Sequence, residues 1–288
     1  MIKKAVIPAA GFGTRFLPAT KSSPKEMLPI VDTPVIQYVV EEAVAAGVND
    51  IIMVIGSNKR AIEEHFDRSF MLEGRLEAKG DSELLERMRH ISEMADIHFV
   101  WQKEQKGLGD AVYCARHHIN GEPFVVMLGD TVIDSEVPAT AQLIKVFERY
   151  KSPVTLLEEV PRELVSRYGV MDGKEIDEDL FQVHDFVEKP SVEQAPSNLV
   201  IASRYILTAD IFDYLAVTKR GKGNEIQLTD AMRMMVKDRA MYGWRLDGRR
   251  CDIGSKEGFV KTNLEFALKR EDMNEDLRHW IKKLAQTL

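Results

Sequence analysis

Two glycines and three cations lie close together near the start of the chain. Gly11 and Gly13 follow a short apolar run, and Arg15, Lys21 and Lys25 come shortly after them. Glycines at this spacing allow backbone N–H groups to crowd onto an anion. A triphosphate carries several negative charges, and Arg and Lys side chains are its usual partners. The spacing therefore predicts a phosphate-binding loop.

Two common phosphate-binding motifs are excluded for this loop. The dinucleotide-binding motif requires a third glycine three positions after Gly13, and Phe16 stands there instead. A P-loop requires Gly-Lys followed by Ser or Thr, and the loop has no such tripeptide. The missing third glycine disfavours a dehydrogenase.

Composition argues against several other classes of protein. The chain has 288 residues, with 39 Lys and Arg against 46 Asp and Glu and a net charge of −7. An acidic chain without a basic block binds nucleic acid and anionic membranes poorly, so we expect neither partner. Two cysteines cannot form a disulfide framework or a four-cysteine zinc site. No apolar run reaches the roughly 20 residues of a membrane span, and the first apolar stretch is too short for a signal peptide. We therefore expect a cytoplasmic protein.

The predicted phosphate-binding loop follows the first of several buried strands. Short apolar runs alternate with helical patterns in the first half of the chain, which is typical of a parallel sheet buried on both faces. Strands are predicted at residues 4–9, 50–56, 97–101, 123–128 and 154–157. Helices are predicted at 81–95 and 108–119, and another is predicted to begin with Thr33 as N-cap and Pro34 as first helical residue.

The pattern changes in the second half of the chain. Strands separated by turns are predicted at 170–172, 181–188 and 199–207, and helices follow only later. Residues 255–288 form two charged helical segments with an apolar stripe, which either cover the core or contact another subunit. The sequence thus predicts one α/β domain with a Rossmann-like, mixed, mainly parallel central sheet flanked by helices and a C-terminal helical tail.

The glycine and lysine motifs resemble those of the sugar-1-phosphate nucleotidyltransferases. The motifs are Gly-x-Gly-Thr-Arg at 11–15 and Pro-Lys-Glu-Met-Leu-Pro at 24–29, and the likeness runs over essentially the whole chain. The resemblance implies a Mg²⁺-dependent transfer of uridylyl from UTP to glucose 1-phosphate, giving UDP-glucose and pyrophosphate, by a homo-oligomer (a dimer or tetramer). Residues 1–288 would be a single nucleotidyltransferase domain, in which about 1–150 bind the nucleotide and about 151–254 bind the sugar phosphate.

The resemblance assigns nucleotide contacts to two segments. Gln102 and Gly107 would read the base, because uracil presents an N–H donor between two carbonyl acceptors and an amide supplies both complements. Gln105 is the next candidate for this role. Without the resemblance, the segment reads as an ordinary glycine-rich start of a helix. The triphosphate would be bound by Ala10, Gly11, Gly13, Thr14, Arg15 and Lys25, of which Arg15 and Lys25 would also be catalytic.

Two carboxylates would hold the metal in similar enzymes. Asp130 ends the fourth predicted strand, and Asp252 would be its distant partner. Mg²⁺ is usually bound by one or two carboxylates together with phosphate oxygens. Asp130 would also count among the catalytic residues. Relatives often carry proline where Gly129 stands, which leaves the aspartate untouched.

The sugar-phosphate contacts come from the second half of the chain. By resemblance, Gly169 would contact a glucose hydroxyl through its backbone, Glu188 would accept from sugar hydroxyls, and Lys189 would bind the sugar's phosphate and act in catalysis. Residues 223–230 are predicted mainly as a capped helix start. Further candidates for the same pocket are Asn198, residues 202–205 and either Thr229 or Asp230, with a contact at Ser203 left open because relatives often have glycine there.

Two other functions stay open at this point. A thymidylyltransferase would share the base edge that Gln102 reads, so this contact does not choose between uridine and thymidine. A catalytically silent relative would bind nucleotide and regulate a partner. It would be expected to lack at least one of Arg15, Lys25, Asp130, Lys189 and Asp252, all of which are present.

Overall fold

The computed structural model describes residues 2–251 and 253–287. Within these residues the strands are β1 (Lys4–Pro8), β2 (Pro29–Ile30), β3 (Thr33–Pro34), β4 (Asp50–Ile55), β5 (Asp96–Trp101), β6 (Phe124–Met127), β7 (Val132–Asp134), β8 (Val154–Glu159), β9 (Gly169–Asp177), β10 (Leu180–Glu188), β11 (Leu199–Leu207), β12 (Tyr242–Arg245) and β13 (Arg249–Cys251). The α-helices are α1 (Val35–Ala45), α2 (Arg60–Phe66), α3 (Phe70–Lys79), α4 (Ser82–Glu93), α5 (Leu108–Cys114), α6 (Arg116–Ile119), α7 (Ala139–Tyr150), α8 (Ile211–Val217), α9 (Leu228–Asp238), α10 (Lys256–Ala267) and α11 (Asn274–Ala285). Short 3₁₀ turns lie at Thr14–Phe16, Ala19–Lys21, Lys25–Met27, Arg162–Arg167 and Lys222–Asn224.

A mixed sheet of nine strands forms the centre, in the order β5-β4-β1-β6-β11-β8-β12-β10-β9. Strands β5, β4, β1 and β6 pair in parallel, as do β8 and β12, and the other neighbours are antiparallel. Helical crossovers join the parallel strands of the first half, whereas a turn joins β9 to β10. The predicted α/β class, with a mixed central sheet, flanking helices and a helical tail, is confirmed.

Apolar side chains fill both faces of the sheet. Ala5 and Ile7 of β1 point to one face, where α1, α4 and α7 pack, and Val6 points to the other, where α5, α8 and α9 pack. This double burial explains why β1, β4 and β6 are continuous apolar runs. Because these strands are parallel, the segments that follow β1, β4, β5 and β6 all emerge at one edge of the sheet. The predicted nucleotide-binding residues lie in these segments.

Some predicted elements differ from the structure in their details. Thr33 does not cap a helix: it pairs with Ile30 in the β2–β3 hairpin, and Pro34 occupies the N-cap position of α1. β5 is an edge strand rather than a strand buried on both faces, and its Trp101 is 52% exposed. The helix predicted at 108–119 is divided into α5 and α6.

The tail forms two helices, as predicted, with different surroundings. α10 packs its Phe259 and Phe266 against the cluster that contains Ile30 and Cys251, so it covers part of the core. None of the α11 side chains described here is buried, and Trp280 is 55% exposed. Among the helices in the described part of the chain, none has the length and apolar character that crossing a bilayer demands.

Candidate active site

Three adjoining cavities surround Asp130, which follows β6. The first cavity, of about 410 Å³, is lined by the glycine loop (residues 9–15) and the segment after β5. The second, of about 300 Å³, is lined by the start of β9, the end of β10 and part of α9. The third, of about 200 Å³, lies between the glycine loop and the segment before α10. Asp130 lines all three, so a group bound to its carboxylate is within reach of each cavity.

The structure brings the described site residues together around these cavities. The first is lined by Ala10, Gly11, Lys25, Gln102 and Gly107. The third is lined by Gly13, Thr14 and Arg15. The second is lined by Gly169, Glu188 and Lys189. Asp252 lies outside the described residues.

Backbone donors of the glycine loop are open to a ligand. Among the described residues, none accepts a hydrogen bond from the N–H of Gly11, Phe12, Gly13 or Thr14. Gly13 has a φ of +68°, and a Cβ at this position would lie 3.0 Å from the Cβ of Lys25, so the loop requires glycine there. Several open N–H groups in succession form an anion-binding nest. The loop therefore has the donors that phosphate binding requires.

Lys25 and Asp130 form an ion pair where the cavities meet. The Lys25 ammonium donates to the carboxylate of Asp130. Burial alone would lower the pKa of Lys25, but the charges of Asp130 and Glu26 outweigh it and raise the pKa. Burial alone would raise the pKa of Asp130, but Lys25 holds it below its ordinary value. Both groups are therefore charged, and an anion that bound Lys25 would have to displace or share Asp130.

A buried ion pair that the sequence analysis missed lies beneath the glycine loop. Lys59 Nζ lies 2.7 Å from Oε2 of Glu26 and donates to the carbonyl of Gly11 at 2.6 Å. Both charged side chains are 1% exposed. Burial raises the pKa of Glu26 and lowers that of Lys59, each against the opposing charge of its partner. Glu26 belongs to the lysine motif, but nothing in the local sequence distinguishes Lys59 from a surface lysine.

The side chain of Gln102 is held in one orientation on the wall of the first cavity. Its amide nitrogen donates to Oδ2 of Asp110 at 2.7 Å and to the carbonyl of Gly107 at 3.2 Å. The nitrogen that the sequence assigned to the base is therefore engaged elsewhere. The N–H of Gly107 has no acceptor among the described residues. Gln102 Oε1 and this N–H present an acceptor and a donor, which suit the ring N–H and a carbonyl of uracil.

The segment before α9 separates the first two cavities. Gly107 has a φ of +112°, and a Cβ there would lie 2.7 Å from both Glu225 Cβ and the carbonyl oxygen of Ile226. Glu225 lines both cavities. The sequence predicted a capped helix start in this region, but α9 begins at Leu228 without a side-chain cap. The residues before it instead pack against the loop of Gly107.

Glu188 and Lys189 lie together on the wall of the second cavity. Lys189 Nζ lies 2.9 Å from Oε1 of Glu188, whose side chain is largely buried. Lys189 has a φ of +46°, and its N–H donates to the carbonyl of Tyr168 at 2.9 Å. Gly169 pairs with Glu188 in the β9–β10 ladder. The three predicted sugar-phosphate residues therefore share one wall.

Of the further residues predicted for the second cavity, some line it and others do not. Thr229 and Ser203 line it. Ser203 has a φ of +65°, a conformation that glycine adopts more easily. Asn198 lies outside the lining and donates its side-chain amide to Glu159 at 3.0 Å. Asp230 is also outside the lining.

Arg250 is a second functional candidate that the sequence analysis missed. Its guanidinium lies 4.4 Å from the centre of the Tyr168 ring, and its Nε donates to Glu158 at 2.6 Å. Burial would lower the pKa of Arg250, but Glu158 and Tyr168 together more than offset this and the pKa is raised. Arg250 and Lys189 both line the second cavity and add positive charge to it. The sequence segment was singled out only for Asp252.

The groups around Asp130 suit magnesium when phosphate supplies further ligands. Carboxylate oxygen is a donor that Mg²⁺ prefers, and this ion is usually completed by substrate phosphates and water. Cys251 and Ile253, on either side of Asp252, line the second cavity with Asp130. In the described part of the chain, no group of three or more His, Cys, Asp or Glu side chains could hold a metal. Within the described residues, a metal at Asp130 would need further oxygen ligands, which substrate phosphates can supply.

Comparison with known proteins identifies a matching family, a curated relative and similar solved structures. Residues 4–268 match the nucleotidyl transferase family. A curated relative, the UTP–glucose-1-phosphate uridylyltransferase of Staphylococcus haemolyticus, is 54% identical over 284 residues, which is 99% of each chain. The solved structure of a UTP-bound UGPase from Acinetobacter baumannii is 39% identical, with a TM-score of 0.91 over 99% of this chain and 100% of that one. A UDP-glucose pyrophosphorylase in complex with UDP-glucose is 44% identical, with a TM-score of 0.87 over 94% and 100% of the two chains.

Proposed function

We propose a uridylyl transfer for this chain, which belongs to the nucleotidyl transferase family. UTP and glucose 1-phosphate are the substrates, and UDP-glucose and pyrophosphate are the products. The relatives named for this reaction match nearly the whole chain, which favours it over a thymidylyl transfer or a silent relative. The structural observation that carries the proposal is the position of Asp130, which lines both the cavity of Gln102 and the cavity of Lys189.

The reaction brings two anions together. An oxygen of the sugar phosphate attacks the α-phosphorus of UTP and forms the new O–P bond. The bond from this phosphorus to the bridging oxygen of pyrophosphate breaks on the opposite side, and its electron pair leaves with pyrophosphate. Because the nucleophile is already an anion, no strong general base is needed. Catalysis therefore depends on positioning and on neutralising charge.

The first half of the domain, about residues 1–150, binds UTP. The acceptor of Gln102 and the donor of Gly107 pair with the uracil edge. The open N–H groups of the glycine loop bind the triphosphate, and the cations of Arg15 and Lys25 neutralise it. The nucleotide-binding residues in this proposal are Ala10, Gly11, Gly13, Thr14, Arg15, Lys25, Gln102 and Gly107.

The second half, about residues 151–254, binds glucose 1-phosphate. Glu188 accepts from hydroxyl groups of glucose, and the backbone of Gly169 contacts another. Lys189 binds the phosphate of the sugar, which carries the attacking oxygen. Arg250 adds a second cation to this cavity, and it is the residue that we add to the set assigned by resemblance. The two cations offset the repulsion between the substrates.

The metal in this proposal is Mg²⁺, with Asp130 and Asp252 as its protein ligands. When bound, it supplies positive charge to the phosphate oxygens of the substrates. The position of Asp130 at the junction of the cavities supports this assignment. Lys25, which contacts the same carboxylate, is the side chain whose partner changes when phosphate and metal enter.

The assembly and location in this proposal rest on two further observations. An amphipathic helix such as α11 normally buries its apolar side chains, and the exposure of Trp280 supports a homo-oligomer, a dimer or tetramer, formed through the tail. Trp280→Glu should then shift the mass measured by light scattering towards the monomer.

Cys114 and Cys251 are both free thiols, which supports the reducing cytoplasm as the location.

The function is tested by coupled assays of pyrophosphate release over four nucleotides and several sugar phosphates. We expect the highest kcat/KM with UTP and glucose 1-phosphate, a clear preference for UTP over CTP, and partial activity with dTTP. Activity should require Mg²⁺. Higher activity with dTTP would favour a thymidylyltransferase, and no pyrophosphate release with any pair would favour a silent nucleotide-binding protein.

A further inference from the structure

Side chains from outside the glycine loop hold two of its carbonyl groups. Gln105 Nε2 donates to the carbonyl of Ala10 at 2.7 Å, and Lys59 Nζ donates to the carbonyl of Gly11 at 2.6 Å. In a trans peptide the C=O and N–H of one unit point in opposite directions. The N–H groups of Gly11 and Phe12 therefore point away from these side chains, and no acceptor among the described residues takes them.

Thr20 holds a third carbonyl of the same loop. Its hydroxyl donates to the carbonyl of Gly13 at 2.7 Å, which turns the N–H of Thr14 in the opposite direction. Three peptide units of one short loop thus have their carbonyls bound by side chains and their N–H groups open. A loop with no such contacts could equally turn a carbonyl oxygen towards a phosphate, which would repel it. The side chains behind the loop select the arrangement that attracts an anion.

Among these side chains, the burial of Lys59 is poorly explained by stability. Lys59 and Glu26 are each 1% exposed, and Oε1 of Glu26 is a buried atom without a hydrogen-bond partner in the described part of the chain. Removing two charges from water offsets much of their attraction, so a buried ion pair is weak evidence of stabilisation. An unpartnered buried oxygen adds a further cost. Two apolar side chains of similar volume would serve stability at least as well, so the contact with the loop better explains the pair.

We propose that Lys59 is a positioning residue of the nucleotide site. It holds the Gly11 carbonyl away from the first cavity, so that the N–H of Phe12 meets a phosphate oxygen of UTP, and Glu26 holds Lys59 in place. Lys59 lines none of the three cavities, so it acts through the backbone rather than by touching the nucleotide. The proposal rests on the proposed function, because it takes the glycine loop to bind the triphosphate.

The test removes both members of the ion pair. Lys59→Met combined with Glu26→Met deletes the contact with Gly11 and removes the buried ion pair. Because Glu26 lines the first cavity, Lys59→Gln and Lys59→Met, which both keep Glu26, are compared as well to separate the contact with Gly11 from the loss of this carboxylate. We expect a melting temperature close to that of the wild type, and UTP binding weakened about 10- to 150-fold, the range for one hydrogen bond to a charged group. Uridine has no phosphate, so its affinity should not change, and KM for glucose 1-phosphate should change little. Calorimetry measures UTP binding, and NMR titration measures uridine binding.

Lys4 offers a control with the same types of contact in a more exposed setting. Its Nζ donates to the carbonyl of His118 at 3.1 Å and lies 3.1 Å from Glu122, the same combination of contacts outside the three cavities. Lys4→Met should bind UTP as the wild type does. If the double methionine variant does not fold, comparing UTP binding by Lys59→Gln and Lys59→Met shows whether Lys59 positions the Gly11 carbonyl or only neutralises Glu26. The glutamine keeps a donor for Gly11 and should retain more of the UTP affinity.

Wild-type UTP affinity in the double variant would overturn the proposal, because Lys59 would then serve only to neutralise Glu26. Equal losses for uridine and UTP would also overturn it, since the loop would be damaged in general. UDP-glucose formation by the wild type is measured separately. If the wild type forms none while the loss of affinity is confined to UTP, the proposed function fails and the positioning role stands. If UDP-glucose forms while UTP affinity is unchanged, only the positioning role fails.

Discussion

Replacing Asp110 by Asn should relax the preference for UTP over CTP. The carboxylate of Asp110 accepts from the amide nitrogen of Gln102 at 2.7 Å, which leaves the amide oxygen for the ring N–H of uracil. Cytosine has an acceptor at that ring position, so it would face the amide oxygen without a proton between them. Asn can either donate or accept, so Asp110→Asn allows the amide of Gln102 to turn over and donate to cytosine.

The magnitude follows from the hydrogen bonds that hold the amide. Turning it over in the wild type gives up a bond to a charged group, worth about 1.5–3 kcal/mol, or roughly 10- to 150-fold in a ratio of rates. In Asp110→Asn, residue 110 no longer favours one orientation of the Gln102 amide. The longer hydrogen bond to the Gly107 carbonyl, at 3.2 Å, still favours the wild-type orientation. The N–H of Gly107 cannot turn over with the amide and still meets the cytosine amine as donor against donor. We therefore expect the UTP-over-CTP ratio of kcat/KM to fall by about tenfold or more and to stay above one.

The assay is pyrophosphate release with glucose 1-phosphate and either UTP or CTP. Gln102→Ala should narrow the same ratio more than it raises KM for glucose 1-phosphate. Asp213→Asn is the control: it removes an exposed acid from the first turn of α8, a helix of 7 residues like α5, and should leave the ratio unchanged. An unchanged ratio in both Asp110→Asn and Gln102→Ala would show that this amide does not read the base. Gln105, which also lines the first cavity, would then be the candidate.

The remaining predictions concern single charges. Asp130→Ala should fold and lose about 100-fold or more in kcat. Asp130→Asn should lose nearly as much, because Asn keeps an acceptor without the charge. Full activity of Asp130→Ala with Mg²⁺ would remove Asp130 from the site. Lys25→Ala should raise KM for UTP, and Lys189→Ala should raise KM for glucose 1-phosphate, and each variant should also have a lower kcat. If steady-state kinetics showed the opposite assignment of the two substrates, the division into two halves would be contradicted. Hydrogen bonds from two arginines lower the pKa of Glu73 from 4.5 to about 2. The contribution of Glu73 to stability is therefore complete above pH 4.5 and is lost as the pH falls towards 2. The difference in unfolding free energy between wild type and Glu73→Gln, measured by urea denaturation, should shrink below pH 4.5.

Much of the site was predictable because its residues lie in the segments that follow strands predicted from apolar runs. The apolar runs predicted β1, β4, β5 and β6, and parallel strands bring the segments after them to one edge of the sheet. Gly11, Lys25, Gln102 and Asp130 lie in such segments or soon after them, within motifs whose residue types already suggest phosphate or base chemistry. Local pattern and simple topology therefore place these four residues at one edge of the sheet, whereas the roles of Gln102 and Asp130 came from the family resemblance.

What the sequence could not predict depends on contacts between distant segments. Lys59 acquires its role only because the segment after β4 passes beneath the loop after β1. Arg250 becomes part of the second cavity through its contacts with Tyr168 and Glu158, residues far away in the chain. Whether a strand such as β5 lies at an edge depends on the order of the whole sheet, which the apolar run does not encode. The orientation of Gln102 depends similarly on a carboxylate that carries no motif of its own.

The two lysines proposed to meet phosphates are each already paired with a carboxylate. Lys25 contacts Asp130, and Lys189 contacts Glu188. Lysines in adjoining, partly buried cavities would otherwise lose hydration and repel one another. The pairing partners are also the carboxylates proposed to bind the metal and the sugar hydroxyls. A phosphate that takes the lysine therefore releases the carboxylate for its own ligand, so the site exchanges partners rather than exposing bare charge. In the proposed function, this arrangement would allow a chain with a net charge of −7 to bind phosphorylated substrates.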